Sequence, residues 1–361
     1  MKQILFVFLG LLLLSVIAFF AWPERAYEPY QVSPGYAAQV AAFNIPDMPD
    51  DWTWDMFASD DGVKMRYGQT GNAAAAKATV VIIPGYTATM DMYGEQVGVI
   101  AARGYHVVGF DLRGQGGSER LRPNQPEKLL IDNFKRYSND LALFLEAMDV
   151  PEGRPVILMG MSFGGHVAFR IGGEHADLVD GLLLLAPALR PDSGERTFAE
   201  AHRMLKLGDA LGKDVNYLPG ATDWRPASEG NLLRAGIEYC ASSPIRLPMR
   251  DAIFTRKPEQ RVGGVTINWG REFYRSSEFV LQDGYPESIK LPVTMIHAEL
   301  DNFVVTDINK DVCDNRMSNC VGFTPPNSGH CLMQETDPVL AAIYQSLDDL
   351  LARVVKTPAK R

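Results

Sequence analysis

The sequence has no concentrated run of positive charge: 35 Lys and Arg stand against 44 Asp and Glu, for a formal net charge of −9. That argues against nucleic acid as a partner, because phosphate backbones are held by clustered Lys and Arg. Anionic lipid gains nothing from the same balance. Metal chemistry is also short of material. The four cysteines contain no C-x-x-C pair and the six histidines are scattered, so no metal is expected. Internal repeats and low-complexity tracts are missing as well.

Long hydrophobic runs are absent with one exception. "ILFVFLGLLLLSVIAFFA", Ile4 to Ala21, carries no charge, follows Lys2 and leads into Trp22, Pro23, Glu24 and Arg25. As a helix rising ~1.5 Å per residue it nearly crosses a ~30 Å hydrocarbon layer. Cleaved signal peptides have shorter apolar cores of ~7 to 15 residues and a small-x-small cleavage site, and "FFAW" supplies a poor one. Residues 1–22 therefore read as a retained membrane anchor in preference to a cleaved signal, with Lys2 on the cytoplasmic side. Either way the folded part lies outside the cytoplasm, on the periplasmic side in a bacterium. Cys313 and Cys320 bracket "DNRMSN", a spacing that suits a small disulfide loop in an oxidising compartment, or else two unpaired thiols. Cys240 and Cys331 are too far apart along the chain for any expectation of pairing.

Residues 23–55 are rich in proline and small residues without a sustained period, and read as a tether. Beyond them short apolar runs recur: "TVVII" (79–83), "HVVGF" (106–110), "VILM" (156–159), "LLLL" (182–185) and "VTMI" (293–296). Continuous runs of this kind suit parallel strands buried on both faces. Helical stretches such as "NDLALFLEAM" lie between them, so a doubly wound α/β sheet is expected. Residues 56–188 and 287–361 form its two parts. From 189 to 286 the rhythm breaks, which points to a mainly helical insertion above the sheet. Its Phe198, Ala201, Met204, Leu205 and Leu211, with Trp269, Phe273 and Tyr274, either pack ordinarily or line an acyl pocket.

Gly160-Met161-Ser162-Phe163-Gly164 falls where the run "VILM" gives way to a helical stretch. G-x-S-x-G at a strand-to-helix junction is the nucleophile elbow, in which a strained turn lifts the hydroxyl clear and the flanking glycines remove collisions. A serine needs a base to take its proton, and the base needs a carboxylate to fix its tautomer. In this fold the chain order is Ser, acid, His. His330 alone follows both the elbow and the last apolar strand, whereas His297 lies within that strand and reads as packed. His166 is one turn into the elbow helix, and His106, His175 and His202 are out of order or in the insertion. The acid belongs after the strand ending at His297, where Asp301 is chosen and Glu299 is the fallback. Backbone N–H groups of Phe163 and Tyr86 are the expected oxyanion donors.

The segments "IIPGY", "GYHVVGFDLRGQGGSERL", "GMSFGG", "APAL", "VGGVTINWGREF", "LDNFVV" and "SGHCLMQE" together resemble the serine α/β-hydrolases of the bacterial lysophospholipase and monoacylglycerol lipase type, over about residues 78–337. The resemblance implies Ser162 as nucleophile, Asp301 as acid, His330 as base, Tyr86 and Phe163 as oxyanion donors, and residues 189–286 as a lid. It makes Asp111 and Arg113 structural loop residues. Pro84-Gly85 stands where many relatives have His-Gly, and the anchor and the cysteine pair are not general features of the group. The implied activity is cofactor-free hydrolysis of carboxylic esters, of lysophospholipids or monoacylglycerols foremost. A short-chain carboxylesterase or acyltransferase with the same triad, or a non-catalytic hydrolase-fold binding protein, are the alternatives.

Overall fold

In the computed structural model, which describes residues 26–227 and 240–356, the apolar runs become the centre of an eight-stranded sheet. The strands are β1 (Thr53–Ala58), β2 (Lys64–Thr70), β3 (Thr79–Ile83), β4 (His106–Phe110), β5 (Val156–Met161), β6 (Gly181–Leu185), β7 (Val293–Ile296) and β8 (Cys320–Phe323), in spatial order β1-β2-β4-β3-β5-β6-β7-β8. From β4 through β8 every pairing is parallel, while β2 runs antiparallel to both β1 and β4. Every residue of β3, β4, β5 and β6 is buried. This is why their sequences show apolar runs without alternation.

Successive side chains on these strands feed two different cores. Val81, Ile83, Phe110, Leu158, Leu184 and Met295 face one side of the sheet, and Val80, Ile82, Val107, Ile157, Leu185 and Ile296 face the other. Among the described residues, the helices of eight residues or more are α1 (Pro34–Ala42), α2 (Gly94–Ala102), α3 (Lys135–Ala147), α4 (Phe163–Glu174), α5 (Phe198–Ala210), α6 (Met249–Arg256), α7 (Ile267–Leu281) and α8 (Asp337–Lys356). The first side is covered by α3, α4 and α7 through residues such as Leu141, Val167 and Phe273. The second is covered by α2 and α8 through Val97, Ile100, Ile343 and Leu347. The chain thus has the α/β-hydrolase architecture.

Two features add detail to the expected organisation. The segment expected as a tether contains α1, started by Ser33, whose side chain accepts from the Tyr36 N–H. Its Tyr36 and Val40 are buried against Ala252 of α6, and Arg256 donates to the carbonyls of Val40 and Phe43. Four alanines spread around α1 blur any periodicity, but docking of Tyr36 and Val40 can supply its stability. The interval 189–286 has no strand among its described residues between β6 and β7, yet it does not sit wholly above the sheet. Trp269, Phe273 and Val280 of α7 belong to the first core and Met249, Ile253 and Phe254 of α6 to the second. Among the described residues of the interval, α5 is thinly packed, with His202 and Leu205 as its buried residues and Met204 and Leu207 exposed.

Cys313 is joined to Cys320, and Cys240 to Cys331 across 91 residues, a pairing that spacing alone did not suggest. The Ile4 to Ala21 run lies outside the described residues, among which no helix is long and apolar enough to cross a membrane.

Candidate active site

The site is built from loops at the carboxyl ends of β3, β5, β7 and β8. Ser162 follows β5 directly and adopts φ +51°, a backbone conformation that costs a non-glycine residue energy. Its neighbours make that turn feasible. A Cβ at Gly160 would lie 2.5 Å from the Gly164 carbonyl, and one at Gly164 would run into the carbonyls of Ile83 and Pro84. The turn is pinned on both sides: Ser162 N–H donates to Leu185 O at 2.9 Å, and its carbonyl accepts from His166 and Ala188. Phe163 opens α4, so its N–H belongs to the first helical turn, which has no intrahelical acceptor.

From the Ser162 hydroxyl a relay of two hydrogen bonds runs outward. His330 Nε2 lies 2.7 Å from Ser162 Oγ and His330 Nδ1 lies 2.7 Å from Asp301 Oδ2. A carboxylate only accepts, so Nδ1 carries the proton and Nε2 is free to accept from the serine. The Asp301 side chain is wholly shielded from solvent, and its other oxygen accepts from the N–H groups of Phe303 and Val304. Glu299 has a different task. Its carboxylate accepts from Asn327 N–H at 2.7 Å, while its own N–H donates to Ser328 Oγ, which ties the loop of Asp301 to the loop of His330.

Gly85 and Tyr86 come from the loop after β3. A Cβ at Gly85 would be 3.2 Å from Ser162 Cβ, so the chain at Gly85, just before Tyr86, passes close beside Ser162. Gln115 holds this loop, accepting from Thr87 N–H at 2.8 Å. Thr87 itself is at φ +59°. Gln115 sits inside "DLRGQGGS", yet its contact with the β3 loop depends on the fold and was not legible beforehand. Asp111 and Arg113 of the same stretch are structural in their contacts. Asp111 accepts from Met90 and Gly117 N–H and pairs with Arg66, and Arg113 pairs with Asp61 and the buried Asp140.

Above Ser162 opens a cavity of about 740 Å³ whose wall is mostly apolar. Met204 and Leu205 of α5, Ile267, Trp269 and Phe273 of α7, and Leu218 line it, together with Tyr86 and Phe163. The two roles weighed for these residues coincide in α7, where Trp269 and Phe273 are at once core and cavity wall. The Trp269 ring packs 4.5 Å from that of Tyr86 and its Nε1 donates to the Tyr137 hydroxyl. Burial pushes the Tyr86 phenol far above its usual range, so it stays a neutral donor to Gly264 O at 3.1 Å.

Of the other histidines, His166 is fully buried behind the elbow. Its Nδ1–H donates to Ala188 O and its Nε2 accepts from Ser276, which in turn accepts from Arg170. Burial first, then the Arg170 charge, drops its pKa to about 3. His202 pairs with Glu278 and His106 with Thr79. His297 is packed at the end of β7 with neither ring nitrogen bonded, and burial with nearby Lys310 lowers its pKa to about 4 from 6.5. Because the folded value lies below the unfolded one, stability is full above pH 6.5 and falls as pH drops toward 4. His297→Phe, which gives up no hydrogen bond, is expected to remove about 2 to 3 kcal/mol of the loss seen between pH 7.5 and 4.5. Denaturant unfolding at the two pH values measures it, and an unchanged pH dependence would contradict it.

Residues 74–337 match the family described as serine aminopeptidase, S33. The chain belongs to that family. Among relatives of this S33 protein, lysophospholipase L2 of Escherichia coli K12 is 27% identical over 289 residues, covering 76% of this chain and 79% of the relative. Phospholipase YtpA of Bacillus subtilis is 30% identical over 236 residues, covering 65% and 80%. In fold, the S33 chain is similar to a soluble variant of monoglyceride lipase from Saccharomyces cerevisiae, with a TM-score of 0.63 and 17% identity over 91% of this chain and 99% of the other. Among the described residues no group of His, Cys, Asp and Glu could hold a metal ion.

Proposed function

We propose that this chain hydrolyses carboxylic esters of single-chain lipids, lysophospholipids or monoacylglycerols, through an acyl-enzyme on Ser162. The observation that carries the reading is the relay Asp301–His330–Ser162 at the floor of an apolar cavity. His330 Nε2 takes the proton as Ser162 Oγ attacks the acyl carbonyl. The N–H groups of Tyr86 and Phe163 hold the oxyanion, and Asp301 steadies the imidazolium and its orientation. The proton then passes to the departing alcohol. Water, deprotonated by the same base, releases the fatty acid, so no cofactor is required.

The apolar wall supports an acyl chain as the larger part of the substrate, and the names of the relatives agree with lipid esters. Residues 189–286 serve as the lid in this reading, with thinly packed α5 its outer part. Placement outside the cytoplasm, with Ile4 to Ala21 as membrane anchor, is supported by two disulfides, which persist in oxidising compartments.

A series of p-nitrophenyl esters from acetate to palmitate tests the substrate class, with a lysophospholipid, a monoacylglycerol and an amino-acid arylamide alongside. kcat/KM is expected to climb with chain length, by up to about fourfold per methylene from burial worth ~0.8 kcal/mol each, until the cavity is filled. Acetate turned over faster than the long chains, or the arylamide faster than every ester, would overturn it.

A further inference from the structure

We propose that Glu335 is a positioning residue that locks the loop carrying His330 to the Cys240–Leu247 limb of the insertion; the proposal rests on His330 acting as the base. Glu335 is completely buried, yet it is not paired through its carboxylate with any cation among the described residues. Instead one oxygen, Oε1, accepts from Gly329 N–H at 2.7 Å and from Ser242 N–H at 2.9 Å, and Oε2 accepts from Thr336 N–H. Gly329 directly precedes the base. A single atom is therefore shared by the backbone next to His330 and by the backbone of a distant segment. Backbone N–H groups are what keep a buried carboxylate tolerable, and each is left unsatisfied if that carboxylate goes.

The surroundings reinforce one geometry. Cys331 N–H donates to Cys240 O at 2.7 Å beside the disulfide between the same two residues, and Ser242 Oγ donates to Asn327 O. Arg246 donates to the Glu335 carbonyl, and Gln334 donates to the Arg246 carbonyl. Gly329 has no room for a side chain, because a Cβ there would run into the Cys240 carbonyl. Cys240 and Cys331 both line the cavity, as does Leu247. The limb that forms this part of the cavity wall is thus set by the same carboxylate that sets the approach of the imidazole to Ser162. A displacement of about 1 Å at such a group can cost about 10²-fold in rate.

The test uses the full chain and compares E335A and E335Q with wild type in two readouts: amide hydrogen exchange over residues 240–247 and 327–333, and kcat and KM on a long-chain ester. In E335A both segments are expected to exchange faster together, with kcat down about 10²-fold. E335Q keeps one oxygen that can accept from Gly329 and Ser242 and gives up only the longer bond from the adjacent Thr336 N–H, so both readouts should stay within about threefold of wild type. Loosening of one segment alone, a kcat within threefold when both loosen, or E335Q as impaired as E335A would each overturn the proposal. Should E335A not fold, E335D keeps the charge but is too short to reach both amides, and a wild-type kcat in it would be equally fatal. Amide exchange does not depend on turnover, so the shared acceptor is judged apart from the reaction. Failure of the reaction would show separately, as unchanged ester turnover in S162A.

Discussion

Ser162→Ala is expected to lower ester turnover by about 10⁴-fold or more and to abolish labelling by a fluorophosphonate. The expectation follows from how little else the hydroxyl does. Among the described residues the hydroxyl bonds to His330, while the backbone bonds that hold the elbow, to Leu185, His166 and Ala188, involve main-chain atoms that alanine keeps. The left-handed backbone at φ +51° crowds Cβ, which both residues possess, so the strain is the same in either protein. Thermal stability should therefore move little, and the loss should appear in kcat. Purified variant with wild-type turnover, or wild-type enzyme labelled elsewhere, would remove the proposed mechanism.

Asp301→Asn is expected to cost about 10³- to 10⁴-fold in kcat, and Glu299→Gln less than about threefold. The two carboxylates follow the same strand, but they face different partners. In D301N the oxygen that accepts from Phe303 and Val304 can remain, so the loop persists. The group facing His330 Nδ1 becomes an amide donor. Two donors then meet at 2.7 Å, the imidazole is driven to the other tautomer, and Nε2 presents a proton to Ser162 where it should accept one. In E299Q the amide oxygen still accepts from Asn327. Steady-state kinetics on one ester decides between them. A D301N enzyme as active as wild type, or an E299Q enzyme worse than D301N, would reverse the assignment.

What could be read from the chain alone depended on where each piece lies. Strands β3 to β7 announced themselves because both of their faces are buried, which leaves an unbroken apolar run. Strands β1 and β8 are largely exposed, β1 mixes polar and apolar residues and β8 is a four-residue edge strand interrupted by Gly322, so they offered no pattern. Ser162, Asp301 and His330 were legible through chain order, and the fold brings them within hydrogen-bond distance. Gln115 and Glu335 lie inside informative stretches, but their residue types assign them no task. Each acts on backbone N–H groups, which have no signature in a sequence. The Cys240–Cys331 pair was hidden for a related reason, since it joins segments that only the folded insertion brings together.

The double duty of α7 bears on how readily relatives could drift apart in acyl preference. Trp269 and Phe273 cannot be traded for smaller or larger residues without disturbing Tyr137, Phe134 and Phe163, against which they are wedged. Met204 of α5, also part of the wall, is half exposed and belongs to a helix with two buried residues. Mutational freedom is therefore lopsided: the part of the wall from α7 is frozen by the needs of folding, and diversification of the preferred tail falls to α5.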